Sequence, residues 1–229
     1  MEKEATFAAI DVNYPLVYHG NQHEIHDVSI GAQNGRTAAG IFGKVTDSES
    51  SSVDASLSVR DLILRNNRVS GTNVRNAGML VGETAKNLTV DGVLAYYHED
   101  SYDESRDSSV EVMASENAGG LIGLVSGGML SVKNSAAAVY VKGGSAAGGF
   151  IGSVNGVADG STIVQSYAGG HTRDGAYSTT DAATKRPVLE GAGRYNVQTS
   201  GNAGGFIGVT TNNVTMNAVY STASAYSTD

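Results

Sequence analysis

Short stretches of alternating apolar and polar residues recur along the chain. They read Val28-Ser29-Ile30, Leu57-Ser58-Val59, Leu88-Thr89-Val90, Leu130-Ser131-Val132, Thr162-Ile163-Val164 and Val214-Thr215-Met216. A period of two predicts a β-strand that turns one face to a core. The middle residues then form an outward row of mostly hydroxyl side chains, which Ile163 interrupts.

A six-residue phrase is the second repeated feature: alanine, two glycines, two large apolar residues and a closing glycine. Clear copies lie at 118–123, 147–152 and 203–208, and looser copies at 38–43 and 77–82. Glycine tolerates positive φ and close approach of two backbones, so we expect these glycines at bends of the chain. The structural repeat glycines are Gly43, Gly82, Gly119, Gly120, Gly123, Gly148, Gly149, Gly152, Gly204, Gly205 and Gly208.

Both markers return at a near-minimal step of about 30 residues, which is typical of a solenoid. A third apolar stretch often follows, at 93–97, 137–141 and 218–220. No sustained 3.6-residue period supports a helical repeat. We therefore predict one all-β domain over residues 1–229, a parallel β-helix with about three short strands per coil and about six or seven coils. Longer steps predict insertions at about 98–110 and 171–197.

Composition narrows the classes of partner. The net charge of −8 argues against nucleic acid and anionic membranes, which both attract basic surfaces. The absence of cysteine excludes disulfides and thiolate metal sites. No apolar stretch is long enough to span a bilayer, so no membrane insertion is expected. The first residues are too acidic for a secretory signal, which predicts that an exported parent protein would be longer than this chain.

The glycine phrases at 118–123, 147–152 and 203–208 are each followed by a strand and a small-residue stretch such as 134–137 or 165–169. Together they resemble the GLUG motif of bacterial surface proteins, which include adhesin-like proteins and the stalks of IgA-specific metallopeptidases. Residues 20–30 are similar to a coil that often precedes such repeats, with Asp27 in place of the usual asparagine. The resemblance implies a right-handed parallel β-helix on the bacterial surface or secreted from the cell. It implies no catalysis, because the motif is a packing motif.

Two groups of side chains raise the question of metal binding. His19, His23 and His26 lie close together, but their spacing differs from the H-E-x-x-H pattern of zinc peptidases. The acidic segment 98–109 offers carboxylates that could bind calcium, since calcium prefers oxygen ligands. The candidate calcium ligands are Asp100, Asp103 and Asp107. The calcium-loop spacing and its glycine are absent, so a solvated acidic loop is favoured and no cofactor is expected.

Catalysis on a β-helix would need carboxylates facing one another on an outer face. The residues that follow the alternating stretches are mixed, with one carboxylate among them: Arg60, Asp91, Lys133, Gln165 and Asn217. A glycosidase needs a pair of carboxyl groups. We therefore expect no catalytic residues, and a carbohydrate-active β-helix enzyme remains an alternative.

The insertion at 171–197 is the predicted recognition loop, because long loops on rigid scaffolds often carry binding sites. Tyrosine and arginine are favoured at interfaces, which nominates Arg173, Tyr177, Arg194 and Tyr195. We predict a non-catalytic adhesin-like or spacer module of a bacterial surface protein. Its partners would be a host glycan or protein, or neighbouring domains. A stalk region of an IgA-specific metallopeptidase is the second alternative.

Overall fold

The computed structural model describes residues 5–32, 35–50, 52–71, 73–97, 111–169 and 197–227. These residues form thirty short strands and no helix, and the strands assemble into five parallel sheets. The prediction of an all-β parallel β-helix is confirmed. Its handedness stays a prediction. The seven strands of the largest sheet give six coils and the start of a seventh over the described residues, as expected.

One coil runs through sheets A, E, B, C and D in that order. The strands of sheet A are β1 (Ala5–Ala8), β5 (Val28–Gly31), β10 (Arg68–Val69), β15 (Val112–Met113), β20 (Val141–Gly143), β25 (Val197–Thr199) and β30 (Ala225–Ser227). The strands of sheet E are β6 (Ala38–Ala39), β11 (Asn76–Gly78), β16 (Asn117–Gly119), β21 (Ala146–Gly148) and β26 (Asn202–Gly204).

The other three sheets each contain six described strands. Sheet B is β2 (Ile10–Val12), β7 (Phe42–Val45), β12 (Val81–Thr84), β17 (Ile122–Val125), β22 (Ile151–Val154) and β27 (Ile207–Thr210). Sheet C is β3 (Pro15–His19), β8 (Ser56–Arg60), β13 (Asn87–Asp91), β18 (Leu130–Lys133), β23 (Thr162–Val164) and β28 (Thr215–Asn217). Sheet D is β4 (Glu24–His26), β9 (Ile63–Arg65), β14 (Leu94–Tyr96), β19 (Ala136–Ala138), β24 (Tyr167–Ala168) and β29 (Tyr220–Ser221).

The number of strands per coil differs from the expected three. A full coil has five, because sheets A and E add strands of two to four residues. Val28-Ser29-Ile30 also belongs to sheet A, where it pairs with β1 and β10, and not to the sheet of the other alternating stretches. Its place in sheet C is taken by β3, whose Leu16 and Tyr18 pair with Leu57 and Val59.

The core is a continuous apolar column inside the coils. The two apolar residues of each glycine phrase are buried in the four copies up to Phe150 and Ile151. Phe150 stacks on Phe206 of the next coil, with ring centroids 4.7 Å apart and planes 7° from parallel. Because each coil alone leaves its apolar face uncovered, stacking is what buries the core.

The repeat glycines serve close backbone approach rather than unusual dihedral angles. Gly120, Gly149 and Gly205 lie above one another, and a Cβ on Gly149 would overlap the carbonyl oxygen of Gly205. The closing glycines form a second column: a Cβ on Gly208 would lie 2.5 Å from the carbonyl oxygen of Gly152. Positive φ occurs at other glycines, such as Gly92. The repeat glycines are therefore required by close backbone contact, as expected, and not by positive φ.

A residue with left-handed backbone dihedral angles lies at the corner between sheets C and D in successive coils. In the second to sixth coils this corner is occupied by Asp61, Gly92, Asn134, Gln165 and Ala218, with φ between 49° and 68°. Glycine, asparagine and aspartate are the residues that adopt this conformation most easily. The corner therefore repeats as a conformation while its residue type varies.

The widest gaps between consecutive strands occur at one corner. Tyr96 ends β14 and Val112 begins β15, while Ala168 ends β24 and Val197 begins β25. Both gaps connect sheet D to sheet A. The predicted insertions at 98–110 and 171–197 lie here, outside the described residues except for Val197.

Candidate functional site

From its second to its sixth strand, the outer face of sheet C carries an uninterrupted row of hydroxyl side chains. Strand register aligns Ser58 with Thr89, Thr89 with Ser131, Ser131 with Thr162, and Thr162 with Thr215. The side chains between them point inward and are buried, for example Val132 and Ile163. The first four hydroxyl residues are half-buried and Thr215 is exposed. We call this row the hydroxyl row.

The register corrects two predictions about this row. Ile163 pairs with Val132 in the core, so it does not interrupt the row, and Thr162 takes that outer position. Ser29 is not a member, because it lies in sheet A. The sequence holds a signal for the correct alignment. Asn134-Ser135 and Gln165-Ser166 both begin the next corner, and aligning them pairs Ser131 with Thr162.

Beside the hydroxyl row runs a second outer row that contains charges. Its members are Arg60, Asp91, Lys133, Val164 and Asn217. Gln165, predicted for this row, instead sits at the corner with φ of 49°. The row is thus mixed in residue type, as predicted, but Val164 takes the position predicted for Gln165.

Asp91 is held as a carboxylate within this second row. Its Oδ2 lies 3.1 Å from Lys133 Nζ, and its Oδ1 accepts a hydrogen bond from Asn134 Nδ2 at 3.0 Å. Burial raises the pKa of Asp91, but the hydrogen bonds from Asn134 and Lys133 and the nearby Arg60 charge outweigh it and lower the pKa. A lowered pKa suits a fixed charge better than a general acid, which must carry a proton.

Other described carboxylates also bind cations of an adjoining coil. The pairs are Arg36–Asp11, Lys44–Glu83, Arg65–Glu24, Arg75–Glu116, Lys86–Asp47 and Lys86–Asp54. Each couples a carboxylate to a cation rather than to a second carboxylate. Two facing carboxyl groups are what glycoside hydrolysis needs, whereas these cross-coil pairs tie neighbouring strands together.

A shallow groove of about 450 Å³ crosses the outside of sheet A at its junction with sheet E. Met113, Lys142 and Gln198 line it from three successive strands. The groove adjoins the corner at which Val197 re-enters the stack. It therefore lies next to the point of attachment of the predicted recognition loop.

Several sequence-predicted residues lie outside the described part of the chain. These are the loop residues Arg173, Tyr177, Arg194 and Tyr195 and the calcium candidates Asp100, Asp103 and Asp107. Within the described ranges, no group of three or more histidine, aspartate or glutamate side chains is placed to hold a metal ion. Of the three clustered histidines, His26 contacts Asp27, with Nδ1 and Oδ2 2.9 Å apart.

No family model, curated protein or solved structure matches the chain. Kinship with the GLUG repeats therefore stays a prediction carried by the glycine phrases. Across the described residues, no helix has the length and apolar character needed to cross a membrane.

Proposed function

We propose that this chain is a non-catalytic, adhesin-like binding module of a bacterial surface protein and that sheet C is its binding face. The observation that carries the proposal is the hydroxyl row, which presents Ser58, Thr89, Ser131, Thr162 and Thr215 on successive strands. Parallel strands are about 4.8 Å apart, so the row offers hydroxyls at that regular interval. A repetitive polar ligand suits such a surface.

A host glycan is the partner that this chemistry favours, with a host protein as the alternative. Each hydroxyl offers one donor and two acceptor sites, as sugar hydroxyls do. A single exposed hydrogen bond contributes little net free energy, on the order of 1 kcal/mol. Affinity would therefore come from several coils binding one extended chain together. Arg60 and Lys133, beside the row, would add charge contacts to acidic groups of the ligand.

An extracellular location is part of the same proposal. It rests on the resemblance of the glycine phrases to surface-protein repeats. The chain has no cysteine, so disulfides cannot stabilise it in an oxidising environment. The paired strands and the cross-coil ion pairs provide another source of rigidity. That same rigidity favours a spacer role as the second candidate function.

Arrays of glycans and host proteins test the binding face. The variant carries Thr89→Gln and Ser131→Gln, which put bulk into the row without changing charge. The control is Ser29→Gln, which alters a half-buried outer serine of sheet A. We expect capture by the double variant to weaken by about tenfold or more, while the control binds as the unaltered chain does.

Other variants separate the competing functions. Tyr177→Ala with Arg194→Ala tests the predicted loop, and loss of capture there alone would move the site away from sheet C. Absence of capture by the unaltered chain would favour the spacer or stalk role. Turnover of a polysaccharide that disappears with Asp91→Asn would favour the enzyme alternative.

A further inference from the structure

Four polar side chains form one hydrogen-bonded chain where sheets E and B meet. Lys44 is in β7, Glu83 in β12, and Asn76 and Asn117 in β11 and β16. Lys44 Nζ lies 3.1 Å from Glu83 Oε1. Asn76 Nδ2 donates to Glu83 Oε2 at 2.9 Å, and Asn117 Nδ2 donates to Asn76 Oδ1 at 2.8 Å. The proposed binding face uses none of these residues.

Burial increases from the Lys44 amine through Glu83 to the Asn76 carboxamide. The side chain of Lys44 is 44% exposed and that of Glu83 15% exposed, while Asn76 is 6% exposed. The orientation of the Asn76 amide follows from its partners. A carboxylate only accepts hydrogen bonds, so Nδ2 faces Glu83 and Oδ1 faces Asn117.

We propose that Lys44 and Asn76 form an intramolecular isopeptide bond. The amine is the nucleophile, and the side-chain carbonyl carbon of Asn76 is the electrophile. Glu83 contacts both reacting groups, so it can take a proton from one and give a proton to the other. Asn117 donates to the oxygen on which negative charge develops during the attack.

The reaction is an exchange of amides that needs no oxidant or other co-reactant. Glu83 removes a proton from Lys44 Nζ, and the free amine attacks Cγ of Asn76. The Cγ–Nζ bond forms, the Cγ–Nδ2 bond breaks, and Nδ2 leaves with protons delivered through Glu83. An ammonium group and a carboxamide thus become a secondary amide and an ammonium ion. Lys44 Nζ and Asn76 Nδ2 lie 3.1 and 2.9 Å from the two oxygens of the same Glu83 carboxylate, so the two groups need not find each other as separate molecules would.

The bond would join the second coil to the third in a chain that has no cysteine. Lys44 and Glu83 are direct neighbours in adjacent strands, and Asn76 lies across the corner from Glu83. The link would therefore cross the strand ladder and tie two coils covalently. It would act as a disulfide does without requiring an oxidising compartment.

A similar trio on sheet C provides an internal comparison. Asp91 contacts both Lys133 Nζ and Asn134 Nδ2, at 3.1 and 3.0 Å. There the asparagine is exposed, whereas Asn76 is buried, so the Asn134 amide stays hydrated. We expect no bond at that site, and Lys133→Arg is the matched control for Lys44→Arg.

Mass spectrometry of the intact, purified chain after prolonged incubation tests the proposal. We expect a mass lower by one ammonia and, after proteolysis, a branched peptide that joins Lys44 to Asn76. Lys44→Arg and Glu83→Gln should abolish both signals, while Lys133→Arg should leave them unchanged. Circular dichroism confirms that each variant keeps its strand content.

Two results would overturn the proposal. One is an unaltered chain with its full mass and no branched peptide. The other is loss of ammonia that persists in Lys44→Arg, since this would come from cyclisation of an asparagine onto its own backbone. Neither result bears on sheet C, so the binding proposal stands or falls separately.

Discussion

Glu111 is a carboxyl group whose environment disfavours its charge. It is 8% exposed, and it precedes β15 on the side of sheet A that also carries Arg68. Burial raises its pKa from 4.5 to about 8, although the Tyr140 backbone N–H donates to Oε2 and the Arg68 charge acts in the opposite direction. The group is therefore largely protonated at neutral pH in the folded chain.

This raised pKa predicts that stability falls as pH rises. Between about pH 4.5 and 8 the folded state binds a proton that the unfolded state has released, so the free energy of unfolding decreases with pH. The decrease should total a few kcal/mol, at about 1.4 kcal/mol per pH unit. Glu111→Gln should remove this part of the dependence. Urea unfolding of both proteins at pH 5 and pH 8 measures it, and identical pH profiles would contradict the prediction.

Ala218 occupies a backbone conformation that alanine adopts poorly. Its φ is 52° at a corner where other coils place Asp61, Gly92 and Asn134. Left-handed geometry costs an ordinary residue about 1–2 kcal/mol. Ala218→Gly should therefore stabilise the chain by up to about 1 kcal/mol, after the extra freedom of glycine in the unfolded state is counted. Ala137→Gly, in the middle of β19, is the control and should destabilise; thermal unfolding compares the two.

Among the structural elements, the glycine columns set the distance between coils. A Cβ on Gly149 would overlap the Gly205 carbonyl oxygen, whereas a Cβ on Gly31 would meet Ser70 O at 3.4 Å. Gly149→Ala should destabilise by about 1–3 kcal/mol, because the backbone ladder must shift. Gly31→Ala should change stability little. Chemical denaturation of both variants tests this, and equal effects would show that contact distance is not what selects glycine.

The strands that can be recognised from the sequence are those that turn more than one apolar residue inward. Sheet C meets this condition, as in Leu88 and Val90, and its alternation is visible in the sequence. Most strands of sheet A bury a single large apolar side chain, such as Val112 or Val141, so no period can be recognised in them; β5, with Val28 and Ile30, is the exception. This is why three strands per coil were expected and five are present.

The sequence predicted the hydroxyl row as outer residues of a strand and placed the binding site in the 171–197 loop instead, and the register was the part of the row that failed. Ser161 is buried, and its Oγ accepts a hydrogen bond from the Leu130 N–H. Ser161 occupies the inward position that Leu130 fills in β18. Because this serine is polar, the alternating pattern assigns the inward positions one residue too late and places Thr162 in the core. The Lys44–Glu83–Asn76 chain was also missed, since its members meet only when coils stack.

At the level of the whole molecule, each coil contacts the coils directly above and below it. Among the described residues, the cross-coil ion pairs and the strand ladders connect only directly neighbouring coils. Stability of such a stack is approximately a sum of terms for each coil and each interface. The contribution of a side chain to the free energy of unfolding should therefore depend on how many neighbouring coils cover it.

Phe150 and Phe206 allow a direct test of that rule, because they are the same residue type in successive coils and stack on each other. Phe150 is fully buried between two coils, while Phe206 is only partly buried against the coil below it. Phe150→Ala should cost about 3–5 kcal/mol. Phe206→Ala should cost clearly less, because part of its ring already contacts water. Hydrogen exchange should then show faster opening of β26 to β28 in Phe206→Ala while the strands around Leu88 stay protected. Equal loss of protection in all coils would mean that the stack unfolds as one unit, and the neighbour rule would not describe this chain.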